Sequence, residues 1–144
     1  MFIVRATSVT DELVEAFRRL LPQLKLNTPL PSRREMDSLL ASGASILLTA
    51  RYPDRGSPIV GILTLIVYRV PTGIRAHIED VVVDDDMRGK GIGEALIRYA
   101  LNMAREAGAN GVALTSNPRR EAANRLYQRI GFKPWITNLY FYEY

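Results

Sequence analysis

The sequence lacks cysteine and has a single histidine, His77. Without cysteine the chain can form no disulfide, no thiolate metal site and no covalent cysteinyl intermediate. No apolar run approaches the ~18 residues that a membrane span requires, and no basic region precedes a long apolar stretch at the N-terminus. We therefore expect neither a secretory signal nor a membrane segment, and a location in the reducing cytoplasm.

What the sequence does contain is ordinary for a folded domain. Its 144 residues are 47% hydrophobic and 24% charged, and a domain of this size buries roughly 70% of the surface of its unfolded chain. A single domain over residues 1–144 is therefore expected. The net charge of +4 could favour an anionic partner, but acids and bases roughly balance along the chain. That balance argues against nucleic acid, and we also expect no membrane partner.

Hydrophobic periodicity and turn signals predict the order β-α-α-β-β-β-α-β-α-β. The predicted strands cover 2–6, 44–52, 59–70, 74–84, 111–116 and 132–144, and the predicted helices 11–21, 32–43, 91–107 and 118–130. Thr10 or Ser8 can cap the first helix, Pro22 is expected to end it, and Ser32 with Glu35 forms a capping box for the second. Early hairpins and later β-α-β crossovers predict an α/β (α+β) architecture with a mixed, mostly antiparallel central sheet flanked by helices.

A glycine-rich turn, Arg88-Gly89-Lys90-Gly91-Ile92-Gly93, joins the strand that ends in Val81-Val82-Val83 to the third predicted helix. Glycines let backbone amides approach a ligand, and the first amides of a helix are unpaired donors at its positive end. With two basic side chains beside them, these amides are expected to form a phosphate cradle. The spacing of a Walker A loop and the last glycine of a dinucleotide fingerprint are absent. Taken alone, the segment could also be a plain flexible turn.

Two motifs carry a resemblance to a known family. Arg88-x-x-Gly91-x-Gly93 resembles the Arg/Gln-x-x-Gly-x-Gly/Ala signature of the GNAT superfamily of N-acetyltransferases, and residues 117–132 resemble that family's alanine-asparagine-x-x-tyrosine helix closing on Gly-Phe. Together with the element order, the resemblance covers essentially the whole chain and implies the GNAT fold. The run from His77 to Val83 resembles locally the glucosamine-6-phosphate N-acetyltransferases, whereas the N-terminal region matches no single substrate.

The resemblance implies an N-acetyltransferase in which a primary amine attacks the thioester of acetyl-CoA directly in a ternary complex. We expect a small-molecule acceptor, with a peptide or protein acceptor and a non-catalytic acyl-CoA-binding sensor as alternatives. The pyrophosphate is expected to bind the amides of the turn, and the pantetheine arm the backbone of the strand before it. The residues concerned are Arg88, Gly89, Lys90, Gly91, Ile92 and Gly93 in the turn, and Val81, Val82 and Val83 in the strand.

Five side chains are candidates for the chemistry that the resemblance implies. Tyr127 matches the general acid, because a phenol of pKa about 10 can serve a thiol of pKa about 8.5 in a fixed geometry; a plain core tyrosine is the alternative. Asn124, one turn earlier on the same face, is expected to bind the cofactor arm, and Asn117 either does likewise or caps the helix. Glu79 is the first candidate base, through a water. His77, on the same strand face, is the second, and a water chain could replace both.

Three further features have open interpretations. Asp80 would point to the opposite face from Glu79 in an unbroken strand, although a bulge would change this. Glu94 is expected to favour the helix dipole rather than to bind phosphate. In the final segment, tyrosines at every second position share one face and could pack as a strand, line the acceptor pocket or form a homodimer interface; these are Tyr140, Tyr142 and Tyr144.

Overall fold

The computed structural model describes residues 1–144, and its centre is a five-stranded sheet in the spatial order β1-β2-β3-β4-β5. The strands are β1 (Phe2–Arg5), β2 (Ser45–Arg51), β3 (Ile59–Val70), β4 (Gly73–Val83) and β5 (Val112–Ala113). The helices are α1 (Asp11–Leu24), α2 (Arg33–Ala41), α3 (Ile92–Glu106) and α4 (Glu121–Ile130), with a short 3-10 turn at Asp85–Met87. The first four strands pair antiparallel, and β5 pairs with β4 in parallel. The predicted fold class is confirmed.

The predicted helix caps are confirmed, whereas the predicted end of α1 is wrong. The Thr10 hydroxyl accepts a hydrogen bond from the backbone of the first turn, and Ser32 and Glu35 form the reciprocal capping box. α1 continues past Pro22 to Leu24. Pro22 lies only two residues before the helix end, so little of the helix follows the hydrogen bond that its missing N–H cannot make. The Lys25 amide still donates to the Leu21 carbonyl at 3.1 Å, which closes the last turn.

Each face of the sheet is covered by a different pair of helices. On one face, α3 and α4 pack on β2, β3 and β4 around a core that includes Leu63, Leu65 and Leu96. On the other, α1 and α2 pack over a core that includes Phe17, Leu20, Met36 and Ile62. Alternate residues of each strand supply the two cores, as the twofold period of a strand requires.

A β-bulge in β4 interrupts this alternation. Thr64 pairs with Glu79 and Ile62 with Val82, so two residues of β4, Asp80 and Val81, lie opposite one residue of β3. Asp80 adopts a positive φ of 50°, which aspartate tolerates better than most residues. Before the bulge, even-numbered residues of β4 face α3 and α4; after it, Val81 and Val83 do so, while Val82 faces α1.

The C-terminal third departs most from the prediction. β5 is reduced to two residues, α4 begins at Glu121 rather than near Pro118, and no strand forms over 132–144. Gly131 ends α4 with a φ of 119°, Phe132 is the last residue that packs on the core, and Pro134 lacks the donor that a strand ladder would use. The segment from Lys133 to Tyr144, called the tail below, therefore exposes its large apolar side chains.

None of the four helices combines the length and the hydropathy needed to cross a membrane.

The close approach of α3 to β3 depends on Gly61. A Cβ there would lie 3.1 Å from Leu96 Cδ1 and 3.3 Å from Ile92 Cγ2. We expect Gly61→Val to lower the free energy of unfolding by about 1–3 kcal/mol through overpacking, measured by urea denaturation. Gly111→Val is the control, because a Cβ at Gly111 meets no atom within 4 Å. Equal stability of the two variants would contradict this account of the packing.

Candidate functional site

A cleft of about 770 Å³ lies where β4 and β5 separate. The two strands pair only at Ala76 with Val112 and at His77 with Ala113. The remainder of β4 has no strand partner on that side, and the cleft lies between its last residues, the start of α3 and the inner face of α4. The separation thus leaves backbone donors and acceptors of β4 available at the wall of a cavity.

The glycine-rich turn forms one end of this cleft. Gly89 and Gly91 both have a φ of 76°, which favours glycine, and a Cβ at either would meet no atom within 4 Å. α3 begins at Ile92 with Gly91 as its N-cap, and no side chain caps the first-turn amides. The turn therefore combines open space with uncapped amides at the positive end of a 15-residue helix, which is the geometry that binds anions.

The end of β4 forms the floor of the cleft. Val81, Val82 and Val83 all line it. The Val81 carbonyl accepts a hydrogen bond of 3.3 Å from the Arg120 guanidinium, which reaches across from the segment before α4. This arginine thereby satisfies a backbone acceptor in the part of β4 that has no pairing with β5.

Contacts from α1 hold the turn in place. Arg19 donates to the Asp84 carboxylate and, at 2.6 Å, to the Ile59 carbonyl, while the Asp85 amide donates to Gln23 Oε1 at 2.8 Å. Asp84 follows β4 directly, so these bonds tie the end of that strand to α1. Their partners lie between 40 and 65 residues apart along the chain, and no local sequence signal indicates them.

Tyr127 is the buried side chain of α4 and lines the cleft, with 6% of its surface exposed. Its ring packs edge-on against Phe132 at 5.9 Å between centroids. Burial raises the pKa of the Tyr127 phenol above its ordinary value, and the positive charge of Arg120 acts in the opposite direction. The phenol is therefore protonated at neutral pH and can donate a proton or a hydrogen bond.

The cleft is basic. Two glutamates line it, together with five arginines: Arg88, Arg119, Arg120, Arg125 and Arg129. Only the first of these was singled out from the sequence. The available signal was the repeat of arginines on the tyrosine-bearing helix, where Arg125 and Arg129 stand four residues apart and share a face.

Glu94 links the two helices beside the cleft. Its carboxylate accepts hydrogen bonds from Arg98 on α3 at 2.9 Å and from Arg129 on α4 at 3.3 Å. These bonds, that of Arg98 first, hold the pKa of Glu94 below its ordinary value. A carboxylate engaged in this way fits the structural role expected for it at the start of α3.

Three residues predicted to bind the cofactor do not line the cleft. The Lys90 ammonium lies 5.4 Å from the centre of the Tyr52 ring. The Asn124 amide donates to the backbone carbonyls of Asn117 and Arg120 at 3.0 and 2.9 Å, and Asn117 Oδ1 accepts from the Arg119 amide. The two asparagines thus stabilise the turn that precedes α4, whose N-cap is Arg120 and receives no side-chain capping bond.

The candidate bases lie outside this cleft as well. The His77 ring is half-buried and lies 6.2 Å from the Tyr68 ring. Glu79 is exposed opposite Thr64, on the sheet face covered by α1 and α2, and its carboxylate has no hydrogen-bond or ion-pair partner in the structure. Because of the bulge, Asp80 also lies toward that face, where it lines a second, smaller cavity. The structure therefore contains the bulge that changes the direction of Asp80, and its side chain does not point to the opposite face from Glu79.

Comparison with known proteins agrees with this geometry. The family model described as the Acetyltransferase (GNAT) family matches residues 8–132. N-acetyltransferase 8B of Homo sapiens is 30% identical over 125 residues, covering 79% of this chain and 55% of that protein. Glucosamine 6-phosphate N-acetyltransferase of Trypanosoma brucei brucei is 40% identical over 78 residues, covering 52% and 51%. The matches span between 18% and 55% of the lengths of these curated relatives.

Solved structures extend the likeness over the whole chain. The crystal structure of a Trypanosoma brucei acetyltransferase superposes with a TM-score of 0.75 at 26% identity, covering 99% of this chain and 100% of the other. The likeness therefore includes the N-terminal helices and the segment after α4, which the curated relatives match less completely.

We expect the Tyr127 phenol to titrate above pH 10, because burial disfavours its anion. Its contribution to stability should be constant below about pH 10, the pKa in the unfolded chain, and should be lost as the pH rises through the raised pKa of the folded state. Tyrosine ¹³Cζ NMR between pH 8 and 12 measures this, with Tyr127→Phe identifying the signal. Half-ionisation at or below pH 10 would contradict the burial argument.

Proposed function

Because the chain belongs to the acetyltransferase (GNAT) family, we propose that it is an acetyl-CoA-dependent N-acetyltransferase acting on a small primary amine. One observation carries the proposal: an uncapped, glycine-started helix and an unpaired strand edge meet in a single basic cleft. Its volume of about 770 Å³ is within the range of about 300–1,000 Å³ found for small-molecule sites.

The residues of the cleft fit a long polyanionic donor. The open space at Gly89 and Gly91 and the amides of the turn from Arg88 to Gly93 suit a pyrophosphate, and the arginines suit further phosphate oxygens. The β4 edge at Val81–Val83 offers N–H and C=O groups to the amides of a pantetheine arm, for which Arg120 must release the Val81 carbonyl. When bound, acetyl-CoA supplies a thioester carbon that an amine can attack.

Tyr127 is assigned the role of general acid. It lines the same cleft as the turn and the strand edge, and its raised pKa keeps the phenolic proton in place at neutral pH. A general acid positioned next to the leaving sulfur typically increases the rate of the chemical step by about 10²–10⁴-fold. Asn124 and Asn117 act indirectly, because they hold the turn that begins the tyrosine-bearing helix.

Proton removal from the amine is assigned to Glu79 acting through water. This carboxylate is exposed, has no ion-pair partner, and stands two residues before the strand edge that lines the cleft. His77 is a weaker candidate because its ring packs beside Tyr68. A chain of waters without a single base is the alternative.

Two variants separate binding from chemistry. Gly91→Arg places a side chain at a φ of 76° and in the open space of the turn, so we expect acetyl-CoA to bind at least about 100-fold more weakly, since several charge-assisted hydrogen bonds are lost.

Tyr127→Phe should keep acetyl-CoA affinity within about threefold and lower kcat by about 10²–10⁴. Calorimetry gives the affinities, and thiol release with an active amine gives kcat.

The control for this pair is Tyr99→Phe, which removes a hydroxyl from an exposed tyrosine of α3 and should change neither quantity. Normal acetyl-CoA affinity in folded Gly91→Arg would refute the cradle. Full activity of Tyr127→Phe would remove that residue from the mechanism. Binding of acetyl-CoA by the wild-type protein without turnover of any amine would favour the sensor, and turnover of lysine peptides alone would favour a protein acceptor.

The tail favours a homodimer. Isolated apolar side chains are common on protein surfaces, but a contiguous set marks an interaction site. Seven large apolar side chains of the tail are between 76% and 112% exposed: Trp135, Ile136, Leu139, Tyr140, Phe141, Tyr142 and Tyr144.

We expect light scattering after size exclusion to give twice the mass of one chain for the wild-type protein. The double variant Leu139→Asp, Phe141→Asp should give the mass of one chain. Asn102→Asp on α3 is the control, and a monomeric wild-type chain would contradict the dimer.

A further inference from the structure

A second cavity, of about 270 Å³, lies on the sheet face covered by α1 and α2. Its walls come from both helices, from the segment that joins them, and from β2, β3 and the bulge of β4. Six of its side chains are aliphatic or aromatic: Phe17, Leu21, Leu24, Leu39, Leu47 and Ile62. Two prolines of the connecting segment, Pro29 and Pro31, complete an apolar lining that leaves few polar groups.

The single acid of this cavity is Asp80. The bulge and the positive φ of Asp80 turn its side chain toward the cavity, where an unbroken strand would have turned it away. Asp80 is exposed at the rim of the cavity, and its carboxylate makes no hydrogen bond or salt bridge in the structure, so it is free to pair with a ligand. Lys25 is the single base of the lining, and Thr28 and Thr64 are neutral.

The cavity adjoins the basic cleft. Leu24 lines both, and the consecutive residues Asp80 and Val81 line the cavity and the cleft respectively. A group bound at the Asp80 carboxylate is therefore one residue along β4 from the strand edge assigned to the donor. Adjacent sites are needed for a ternary complex, because the reacting atoms of its two substrates must come within about 3–3.5 Å.

We infer that the cavity binds the acceptor, and that the acceptor is a compact primary amine with an apolar aliphatic or aromatic body. The inference rests on the proposed function and names its substrate class. The ammonium group pairs with Asp80 on binding, and the apolar body fills the space between α1 and α2. The bound ammonium then loses one proton through water to Glu79 before its nitrogen attacks the thioester. A charge-assisted hydrogen bond gives the amine its orientation, and burial of the body gives most of the affinity.

The volume of the cavity and the charges of its lining exclude other classes of acceptor. About 270 Å³ is just below the range of about 300–1,000 Å³ for drug-sized ligands, which excludes oligosaccharides that carry several amines. A phosphorylated amino sugar would require cationic groups around its phosphate, whereas one lysine and two neighbouring carboxylates, Glu79 and Asp80, are available. The local likeness of the His77–Val83 run to glucosamine-6-phosphate N-acetyltransferases therefore does not extend to the acceptor.

Kinetics with the purified chain and acetyl-CoA test the inference. We expect kcat/KM to be at least about tenfold higher for 2-phenylethylamine and 3-methylbutylamine than for glucosamine 6-phosphate, phenylalanine or a lysine peptide. Asp80→Asn should raise KM for 2-phenylethylamine about 10–100-fold, the usual loss for a hydrogen bond to a charged group, with kcat and acetyl-CoA affinity nearly unchanged. Asparagine tolerates positive φ, so the bulge should persist.

Asp37→Asn is the matched control, because Asp37 is an exposed carboxylate of α2 outside both cavities. It should leave all parameters unchanged. Leu39→Ala removes side-chain atoms from the wall and so enlarges the cavity, which should lower KM for longer amines such as 4-phenylbutylamine. Turnover of glucosamine 6-phosphate in preference to the simple amines, or an unchanged KM in Asp80→Asn, would overturn the inference while leaving the acetyltransferase proposal intact.

A binding measurement keeps the two proposals distinguishable if no turnover is found. Binding of 2-phenylethylamine in the presence of CoA can be followed by calorimetry without any reaction. Affinity that falls in Asp80→Asn but not in Asp37→Asn would support the acceptor site even for a catalytically inactive chain. No binding to the wild-type protein would overturn it.

Discussion

One extra residue in β4 is the constraint on which the arrangement of both cavities depends. Because Asp80 and Val81 together oppose a single residue of β3, the alternation of side chains shifts by one at this point. Val81 and Val83 then turn to the face of α3 and α4, and Asp80 to the face of α1 and α2. Adjacent residues of one strand thus face two different cavities, and the proposed donor and acceptor sites adjoin without a loop between them.

The elements around the bulge fix its position. On one side, Arg19 and Gln23 of α1 hold the residues that follow β4, which prevents the strand end from shifting relative to α1. On the other side, the short β5 leaves the second half of β4 unpaired, and Arg120 satisfies the Val81 carbonyl. The unpaired edge, the uncapped start of α3 and Tyr127 can therefore share one cleft, although they come from three separate parts of the chain.

Local rules predicted the features that depend on neighbours in sequence. Four helices, the Ser32–Glu35 capping box, the first hairpins and the glycine turn all follow from periodicity, capping and turn chemistry. The rest depends on contacts between distant residues. The bulge at Asp80 was considered but could not be located, the Arg19–Asp84 pair joins residues 65 apart, and the final alternating segment found no partner strand within the chain. The contacts that the Asn124 and Lys90 side chains make with protein groups likewise depend on the tertiary structure and not on the local motif.

The proposed function and acceptor site together require that the bulge separate a donor side of β4 from an acceptor side. Amide chemical-shift mapping tests it most directly, with CoA added first and 2-phenylethylamine second. The account predicts that CoA perturbs Val81, Val83 and the turn from Arg88 to Gly93, and that the amine then perturbs Asp80, Leu39 and the segment between α1 and α2. Perturbation of Leu39 and of the segment between α1 and α2 by CoA alone, or of the glycine turn by the amine alone, would contradict it.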